Sequence, residues 1–573
     1  MRRRLLVAVG VTLVGVLACL GWAGWKAIQA RQDLTTAQAQ IRAVQADVRA
    51  GQLENARNAL PHLRQLLARA GSRVDGPAWS VSTHVPVLGG SYRAVQDTAR
   101  AADLVAAQVL PPLVDALDTA RNRHLLRDHR VDLAVIRQLQ SPVQRAARAS
   151  ERARSMVDRR RGWLLPALKT RYDEARGAID DLDDNVQTAD RALGIAPQML
   201  GADRPQRYFV AVQNNAEARA TGGLIGAFAI LTADQGTLKL ERTGIGNQDL
   251  TRTESAVVTL PGAASTWQDI GSTKAWFDAN LTPHFPDVAQ TMSALWQHQS
   301  GQQIDGVIGL DPVVMSTLLQ GQRAITLPGG GHVDAANIVD FVCRREYVDY
   351  PSSKVRKPLL RDLATEVFNR VVAGGDAVGT FRRLAKAGGS GHLYLWTRHE
   401  ASQRVLASEI VGGALPPSGR PYLSVLTQNF GGNKLDYFIR REISVTSARE
   451  GGIHVVVKLT NQAPLGLPLY MTVRSDRPDP PVPYGTARIN LAVYAAGQSV
   501  FSGATIDGSP ILLSPDTDHG LALGTTTVEV ARGRTLTVAF DVSEPSGTLT
   551  YRQQPLARAD VRHLRMPHLL VGS

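Results

Sequence analysis

The densest group of side chains able to bind or transfer charge lies between two apolar runs, at 213–223. The runs Tyr208–Val212 and Leu224–Leu231 predict two strands, so the segment between them is predicted to be a polar loop presented by a rigid sheet. Gly222-Gly223 would let the backbone approach a ligand closely. An ordinary hairpin with a solvated turn is the alternative interpretation. The candidate ligand-binding and catalytic residues of this loop are Asn214, Asn215, Glu217 and Arg219.

A second group of candidate residues is a run of cations at 344–361, interrupted by a Pro-Ser-Ser loop. Planar guanidinium groups bind phosphate oxygens in a bidentate manner, and a helix predicted at Leu359–Val372 would add a favourable dipole at its start. Together with Arg219, these cations predict an anion site. A solvated basic face is the alternative. The candidate ligand residues of this run are Arg344, Arg345, Arg356 and Lys357.

Standard catalytic signatures are absent from the sequence. It has no GxSxG elbow, no phosphate-binding P-loop, no HExxH motif and no dinucleotide fingerprint. Its 13 histidines show no metal-ligand spacing. The two cysteines, Cys19 and Cys343, predict neither a disulfide framework nor a cysteine metal site. We expect Cys343 to be a buried small apolar residue.

The composition narrows the class of partner. A chain of 573 residues is long enough for three or four domains at roughly 150 residues each, and 44% hydrophobic residues is typical of globular proteins. The formal net charge of +13 favours anionic partners such as nucleic acid, phosphorylated lipids or an envelope polymer. Because the sequence contains no zinc-ligand spacing and no known nucleic-acid module, we do not expect nucleic acid as a partner.

The N-terminus predicts the compartment. Three arginines at 2–4 precede an apolar run, Leu5–Trp25, which is long enough to span a bilayer. The positive-inside rule then places the N-terminus in the cytoplasm and the rest of the chain outside. We therefore expect a single-pass protein of the cell membrane, which excludes a DNA-binding regulator. A cleaved signal peptide, or a lipoprotein cleavage box ending at Cys19, is the alternative.

The remaining pattern predicts a multidomain α+β chain. Helical periodicity gives way to alternating strands and helices, and then to short β-branched runs separated by Gly and Pro. Asp311 is predicted to cap a helix that begins at Pro312. The predicted organisation is an N-terminal transmembrane helix at 1–30, a helical bundle or stalk at 31–200, a central α/β layered domain at 201–420, a C-terminal β-sandwich at 421–550 and a flexible tail at 551–573.

Several motifs together resemble an uncharacterised family. They are Tyr208–Phe228, IDGVIGLDP at 304–312, CRREY at 343–347, SSKVRKPLL at 352–360 and GGNKLDYFIRR at 431–441. The family is domain-of-unknown-function family 4012, membrane-anchored envelope proteins common in actinobacteria. The resemblance implies an envelope location but no activity.

The order of elements in the central domain also resembles the LytR-CpsA-Psr family of cell-wall glycopolymer transferases. That resemblance implies that Arg219, Arg345 and Arg356 grip the pyrophosphate of a polyprenyl-linked glycan, and that Asp249 is a functional acid. Those enzymes carry an acidic residue beside the first arginine, where this chain has Ala220-Thr221-Gly222-Gly223. The departure removes an expected Mg²⁺ ligand and so leaves the cofactor open.

Two functions follow from these observations. In one, the chain transfers a glycopolymer to the wall, with the arginines stabilising the leaving group and Asp249 or Glu217 serving a metal or the acceptor hydroxyl. In the other, it is a non-catalytic scaffold that binds an anionic envelope lipid carrier or cell-wall polymer through the same arginines.

Overall fold

The structure is a computed structural model that describes residues 36–37, 39–44, 46–47, 52–85, 89–158, 164–374, 376–448, 452–477, 482–543, 547–565 and 569–572. The chain forms two compact units, one of Met1–Leu125 with Asp132–Pro197 and one of Leu126–Val131 with Gln198–Ser573. The predicted anchor Leu5–Trp25 lies outside the described residues. Among the helices that are described, none combines the length and the apolarity needed to cross a bilayer.

The first unit is helical. Its helices bury a repeating apolar face, as Leu60, Leu63 and Leu67 do in the first of them. Asp132 caps another by accepting the backbone N–H groups of Ala134 and Val135. The helices are Leu53–Arg73, Pro77–Thr83, Gly89–Leu104, Leu110–Asn122, Leu133–Val157 and Pro166–Met199, with a π-helical turn at Val105–Val109.

The second unit begins with a seven-stranded sheet in the order β1-β2-β5-β4-β3-β6-β9. Neighbouring strands are antiparallel except β3 and β6, which are parallel. The strands are β1 Leu126–Arg127, β2 Arg130–Val131, β3 Gln206–Arg219, β4 Gly222–Asp234, β5 Thr237–Ile245, β6 Gly306–Leu310 and β9 Leu393–Thr397; the short hairpin of β7 Ile325–Thr326 and β8 His332–Val333 stands apart.

Helices cover both faces of this sheet. Alternate residues of its strands point to opposite faces, so each face contributes apolar side chains to its own core. Phe209 and Val307 join a core with the helix Phe285–Ser300 on one face. Val212 and Ile308 pack against a core on the other face. The helices that contribute to this second core are Pro312–Leu319, Ile338–Asp340, Ser353–Val372 and Ala377–Gly389.

The predicted polar loop at 213–219 is wrong, because these residues continue β3 to Arg219. Only Ala220 and Thr221 form the turn to β4. The pairing of β3 with β4 shifts register after Val212 and again between Asn214 and Ala218. These irregularities turn polar side chains towards other buried groups, so the segment is a buried strand and not a solvated loop.

A β-sandwich follows, made of two six-stranded sheets around one apolar core. One sheet has the order β16-β17-β13-β10-β19-β21 and the other β15-β14-β18-β12-β11-β20. The strands are β10 Tyr422–Asn429, β11 Ile439–Ser447, β12 Ile453–Asn461, β13 Ala487–Ala495, β14 Phe501–Ile506, β15 Ser509–Ile511, β16 Ser514–Asp518, β17 Leu521–Val530, β18 Thr535–Val542, β19 Leu549–Arg552, β20 Val561–Arg565 and β21 Leu569–Gly572.

The expected flexible tail at 551–573 is also corrected by these pairings. β20 pairs in parallel with β11, and β21 pairs in parallel with β19. Between β19 and β20, the side chain of Gln554 is buried and donates to the backbone oxygens of Arg219 and Thr427. The last residues of the chain therefore complete both sheets of the sandwich.

Candidate functional site

The polar half of β3 is held by buried contacts to segments distant in sequence. The Asn214 amide donates to the backbone oxygen of Val342 at 3.2 Å and to the Tyr347 hydroxyl at 3.0 Å. Asn215 donates to Asp311 and to the backbone oxygen of Pro555, each at 3.1 Å. Both asparagines are therefore fixed in the interior, where they join β3 to the helical layer and to the end of the sandwich.

Glu217 is the centre of a buried charge cluster. Its carboxylate accepts from Arg219 at 3.2 Å and from the Lys434 ammonium. Burial alone would raise the pKa of Glu217, but the charges of Lys434 and Arg219 outweigh it and lower that pKa. The carboxylate is therefore ionised and matched by two cations.

Arg219 uses its other donors on the backbone. Its guanidinium donates to the carbonyl oxygens of Phe277, Ala218 and Asn429 at 3.0 to 3.1 Å. With Glu217, these acceptors occupy all three nitrogen atoms, and the residue is 5% exposed. The predicted role of Arg219 as a grip for pyrophosphate is not favoured by this arrangement, because its donors bind the protein itself.

Arg356, which is 3% exposed, is held differently, against two aromatic rings. Its guanidinium carbon lies 4.8 Å from the ring centre of Tyr347 and 4.8 Å from that of Tyr470. Its Nη1 donates to the carbonyl oxygens of Tyr350 and Pro351, both at 3.0 Å. Its Nε and Nη2 make no hydrogen bond to any residue that the structure describes. This side-on edge is the one that binds carboxylate or phosphate in a bidentate manner.

In other arginines of the chain, an aspartate accepts hydrogen bonds from the same edge, that of Nε and Nη2. Nε and Nη2 both donate to one carboxylate in the pairs Arg344–Asp340, Arg345–Asp349, Arg441–Asp560 and Arg474–Asp476. In the described part of the chain, no carboxylate binds the same edge of Arg356.

A neutral carboxyl group lies near Arg356. Glu346 is 1% exposed, and neither of its oxygens has a hydrogen-bond partner among the described residues. Burial raises the pKa of Glu346 to about 8, against the opposing charges of Arg356 and Lys434. Near pH 7 this carboxyl is therefore protonated and does not neutralise the arginine.

Contacts connect Arg219 with Arg356 but do not include every predicted site residue. Arg219 pairs with Glu217, and Glu217 pairs with Lys434. The Lys434 ammonium lies 5.9 Å from the centre of the Tyr470 ring, and the same ring contacts Arg356. We call Glu217, Lys434, Tyr470, Arg356, Tyr347 and Glu346 the Arg356 site. It lies where β3, the 346–356 segment and the sandwich meet.

The other predicted residues have separate partners. Arg344 and Arg345 pair with aspartates one helical turn away. Lys357, beside Arg356 in the helix Ser353–Val372, is half-buried, and burial and the Arg356 charge lower its pKa. Asp249 accepts the backbone N–H of Ile245 at 2.7 Å and so closes the end of β5.

The residues proposed for Mg²⁺ do not fit that ion. Mg²⁺ is held by carboxylate oxygens and phosphate in a near-octahedral arrangement. Glu217 is occupied by Lys434 and Arg219, and Asp249 by a backbone amide. We therefore derive no metal-dependent step from them.

The one group of possible metal ligands identified among the described residues is His284, Asp287 and His519. The Leu415 N–H donates to Nδ1 of His284 at 3.0 Å, so the neutral ring carries its proton on Nε2 and has no lone pair there for a metal. The two imidazole rings stack at 3.8 Å with planes 21° apart, and stacked rings cannot both direct a nitrogen at one ion about 2 Å away. The group fits a proton-sharing pair, in which His519 donates to Asp287 at 2.8 Å.

Sequence reasoning missed the sandwich's contribution to the Arg356 site. Lys434 lies in GGNKLDYFIRR, which carries only the family resemblance, and Tyr470 lies in a stretch of sequence with no motif. A glutamate buried on β3 requires a cationic partner. This requirement is the one signal that could have pointed to Lys434.

Comparison with known proteins gives one match. Residues 203–347 match the family model described as "Protein of unknown function (DUF4012)". This segment contains β3 to β6 and ends at Tyr347. No curated protein and no solved structure matches the chain.

Proposed function

We propose that this protein is a membrane-anchored, extracytoplasmic protein of the cell envelope whose α/β domain binds a phosphate- or pyrophosphate-bearing glycan or lipid carrier. The observation that carries the proposal is the buried Arg356 guanidinium, which lies against the rings of Tyr347 and Tyr470 and whose Nε and Nη2 have no acceptor among the described residues. Such an edge is preorganised for two oxygens of one phosphate group, because the ring contacts and the two hydrogen bonds of Nη1 leave it little rotational freedom to lose.

Two features beside this edge favour an anion. The Lys434 ammonium lies 5.9 Å from the centre of the Tyr470 ring, and Lys357 follows Arg356 on the same helix. Glu346, which has no hydrogen-bond partner among the described residues, stays protonated near pH 7 because burial raises its pKa to about 8. The local charge is thus positive at physiological pH.

Binding is favoured over glycopolymer transfer. Catalysis of phosphoryl chemistry uses a metal or an open acid beside the phosphate, and Glu217 and Asp249 both have protein partners. One observation supports transfer as the second candidate: a carboxyl group such as that of Glu346, with a pKa near neutrality, is suited to general acid–base catalysis.

The test is calorimetric titration of the full chain in detergent micelles with inorganic pyrophosphate. We expect R356K to weaken binding by about tenfold, because lysine keeps the charge but loses the planar edge. R361K is the matched control, since Arg361 lies on the same helix but pairs with Asp362 at the surface. Binding of the wild-type chain should also weaken as salt is added.

Equal affinity in R356K and the wild type, or no pyrophosphate binding by the wild type, would contradict the proposal. Transfer of the glycan phosphate from a lipid pyrophosphate to an acceptor hydroxyl, with release of the lipid monophosphate and loss of the reaction in E346Q, would favour the transferase.

A further inference from the structure

Large apolar side chains are exposed around the Arg356 site. Exposed fractions range from 44% for Val348 to 84% for Leu465. Six of the exposed large apolar residues belong to segments that meet at this point, whereas the others are distributed over both units. We call the six the Tyr470 patch: Val348, Val355, Leu465, Leu469, Tyr470 and Tyr484.

Ring contacts and a backbone hydrogen bond hold most of the patch together. Tyr470 stacks on Tyr347, which precedes Val348, with ring centres 5.7 Å apart. It also covers the guanidinium of Arg356, which follows Val355. The backbone N–H of Gly485, next to Tyr484, donates to the oxygen of Thr472 at 3.0 Å, and so ties the second sandwich loop to the helix Leu469–Thr472. Leu465 lies in the loop that leads into that helix.

The charge at the edge of the patch is positive. Lys354 is exposed and Lys357 half-buried on the first turns of Ser353–Val372. The acids nearest in sequence are neutralised, since Asp349 pairs with Arg345 and Asp476 with Arg474. An apolar surface with a tyrosine at its centre and lysines at its edge matches the boundary between lipid headgroups and acyl chains.

We infer that the Tyr470 patch docks on an anionic lipid bilayer, with its leucines and tyrosines among the acyl chains and its lysines at the headgroups. This inference rests on the proposed function, because it identifies the membrane surface as the source of the phosphate group that binds Arg356. The predicted anchor Leu5–Trp25 would hold the patch near that bilayer at a high effective concentration, so a weak patch suffices.

A soluble protein partner fits less well. The patch is composed of side chains from loops and helix ends, and among the described residues its cations at 354 and 357 have no carboxylate partner. Each lysine near an anionic bilayer adds electrostatic attraction to it. Together with the exposed apolar surface, this favours a lipid surface of negative charge.

The test places a fluorescent label in the patch of the full chain. The variant L469C, in a C19S background, is labelled with bimane and reconstituted into phosphatidylcholine vesicles with or without phosphatidylglycerol; Cys343 is fully buried and stays unlabelled. Nitroxide-bearing lipids then report contact with the bilayer. L512C is the matched control, since Leu512 is exposed on the sandwich outside the patch.

We expect several-fold stronger quenching at position 469 than at 512, and weaker quenching without phosphatidylglycerol or in the K354E/K357E variant. Equal quenching at both positions, or none at 469, would overturn the inference. A label at 469 that is shielded from aqueous iodide but not quenched by lipid would mean that a protein covers the patch, which also contradicts it. Pyrophosphate binding that depends on Arg356 is measured separately, so either proposal can fail alone.

Discussion

The Lys434 ammonium donates to the carboxylate of Glu217, and this buried ion pair joins the sandwich to strand β3 of the α/β layer. Both side chains are 8% exposed. Removing a charge from water is costly, so the pair is stable only while each partner is present. The two layers of the second unit therefore share one electrostatic element, which lies beside the proposed anion site.

Removal of Glu217 should destabilise the second unit strongly. E217Q leaves both Arg219 and Lys434 without their carboxylate, so we expect the free energy of unfolding to fall by about 3 to 5 kcal/mol. K434M should cost less, because Glu217 keeps its contact with Arg219. Urea denaturation followed by circular dichroism measures both losses.

The exposed pair Arg345–Asp349 is the control for that experiment. R345A should lose less than about 1 kcal/mol, since surface ion pairs contribute little. In the double variant E217Q/K434M the loss should be smaller than the sum of the single losses. Two outcomes would contradict a stabilising ion pair between Glu217 and Lys434: additive losses in the free energy of unfolding, or a loss in E217Q no larger than in R345A.

Local pattern predicted many of the elements. The strands predicted at Tyr208–Val212 and Leu224–Leu231 lie within β3 and β4. The cap at Asp311 is confirmed, since its side chain accepts from the N–H groups of Val313 and Val314 and the helix begins at Pro312. These features depend on neighbouring residues, which a sequence displays directly.

The polar half of β3 could not be predicted in the same way. A run of amides and charges is typical of a turn, and Glu217 is stable inside a strand only because Lys434 lies opposite it. Tyr470 likewise contributes to the site through a fold contact that no spacing reveals. The segments whose structure was predicted wrongly, including 551–573, are those whose contact partners are distant in sequence.

Glu346 should make the stability of the protein depend on pH. Burial raises its pKa from 4.5 to about 8, so the folded state keeps a proton that the unfolded state loses above pH 4.5. Its contribution to the free energy of unfolding is complete below pH 4.5 and falls by about 1 kcal/mol per pH unit until about pH 8.

The variant E346Q has no such titration. The difference in the free energy of unfolding between E346Q and the wild type should therefore grow in favour of E346Q as the pH rises through this interval. Denaturation curves in urea, taken at several pH values across it, measure the difference. Parallel dependence on pH in the two proteins would show that Glu346 is ionised in the folded state.

Asp249 should prove structural. Its carboxylate accepts the Ile245 N–H at 2.7 Å, so D249A should lose about 1 kcal/mol of stability, whereas D249N keeps an acceptor and should lose less. Because the described contacts of Asp249 are with Ile245 and Gln299 and not with the Arg356 site, pyrophosphate titration should give the wild-type affinity in D249N. Loss of that affinity in a folded D249N would restore the role implied by the transferase resemblance.

His284 should limit stability in acid. Burial lowers the pKa of His284 to about 4, against the attraction of Asp287, while the charges of His519 and Arg552 lower it further. Below pH 6.5 the unfolded chain takes up a proton that the folded ring refuses, so the contribution of His284 to the free energy of unfolding falls from about pH 6.5 towards about pH 4. H284Q removes this titration and should flatten the acid side of the stability curve, as measured by thermal unfolding.

The contribution of His519 to stability depends on pH in the opposite direction. Its hydrogen bond to Asp287 raises its pKa, so its contribution to the free energy of unfolding is lost as the pH rises. H519Q, which removes that pair, is the matched variant and should lose most at low pH; a flattened acid limb in H519Q instead would show that the proton resides on the other ring.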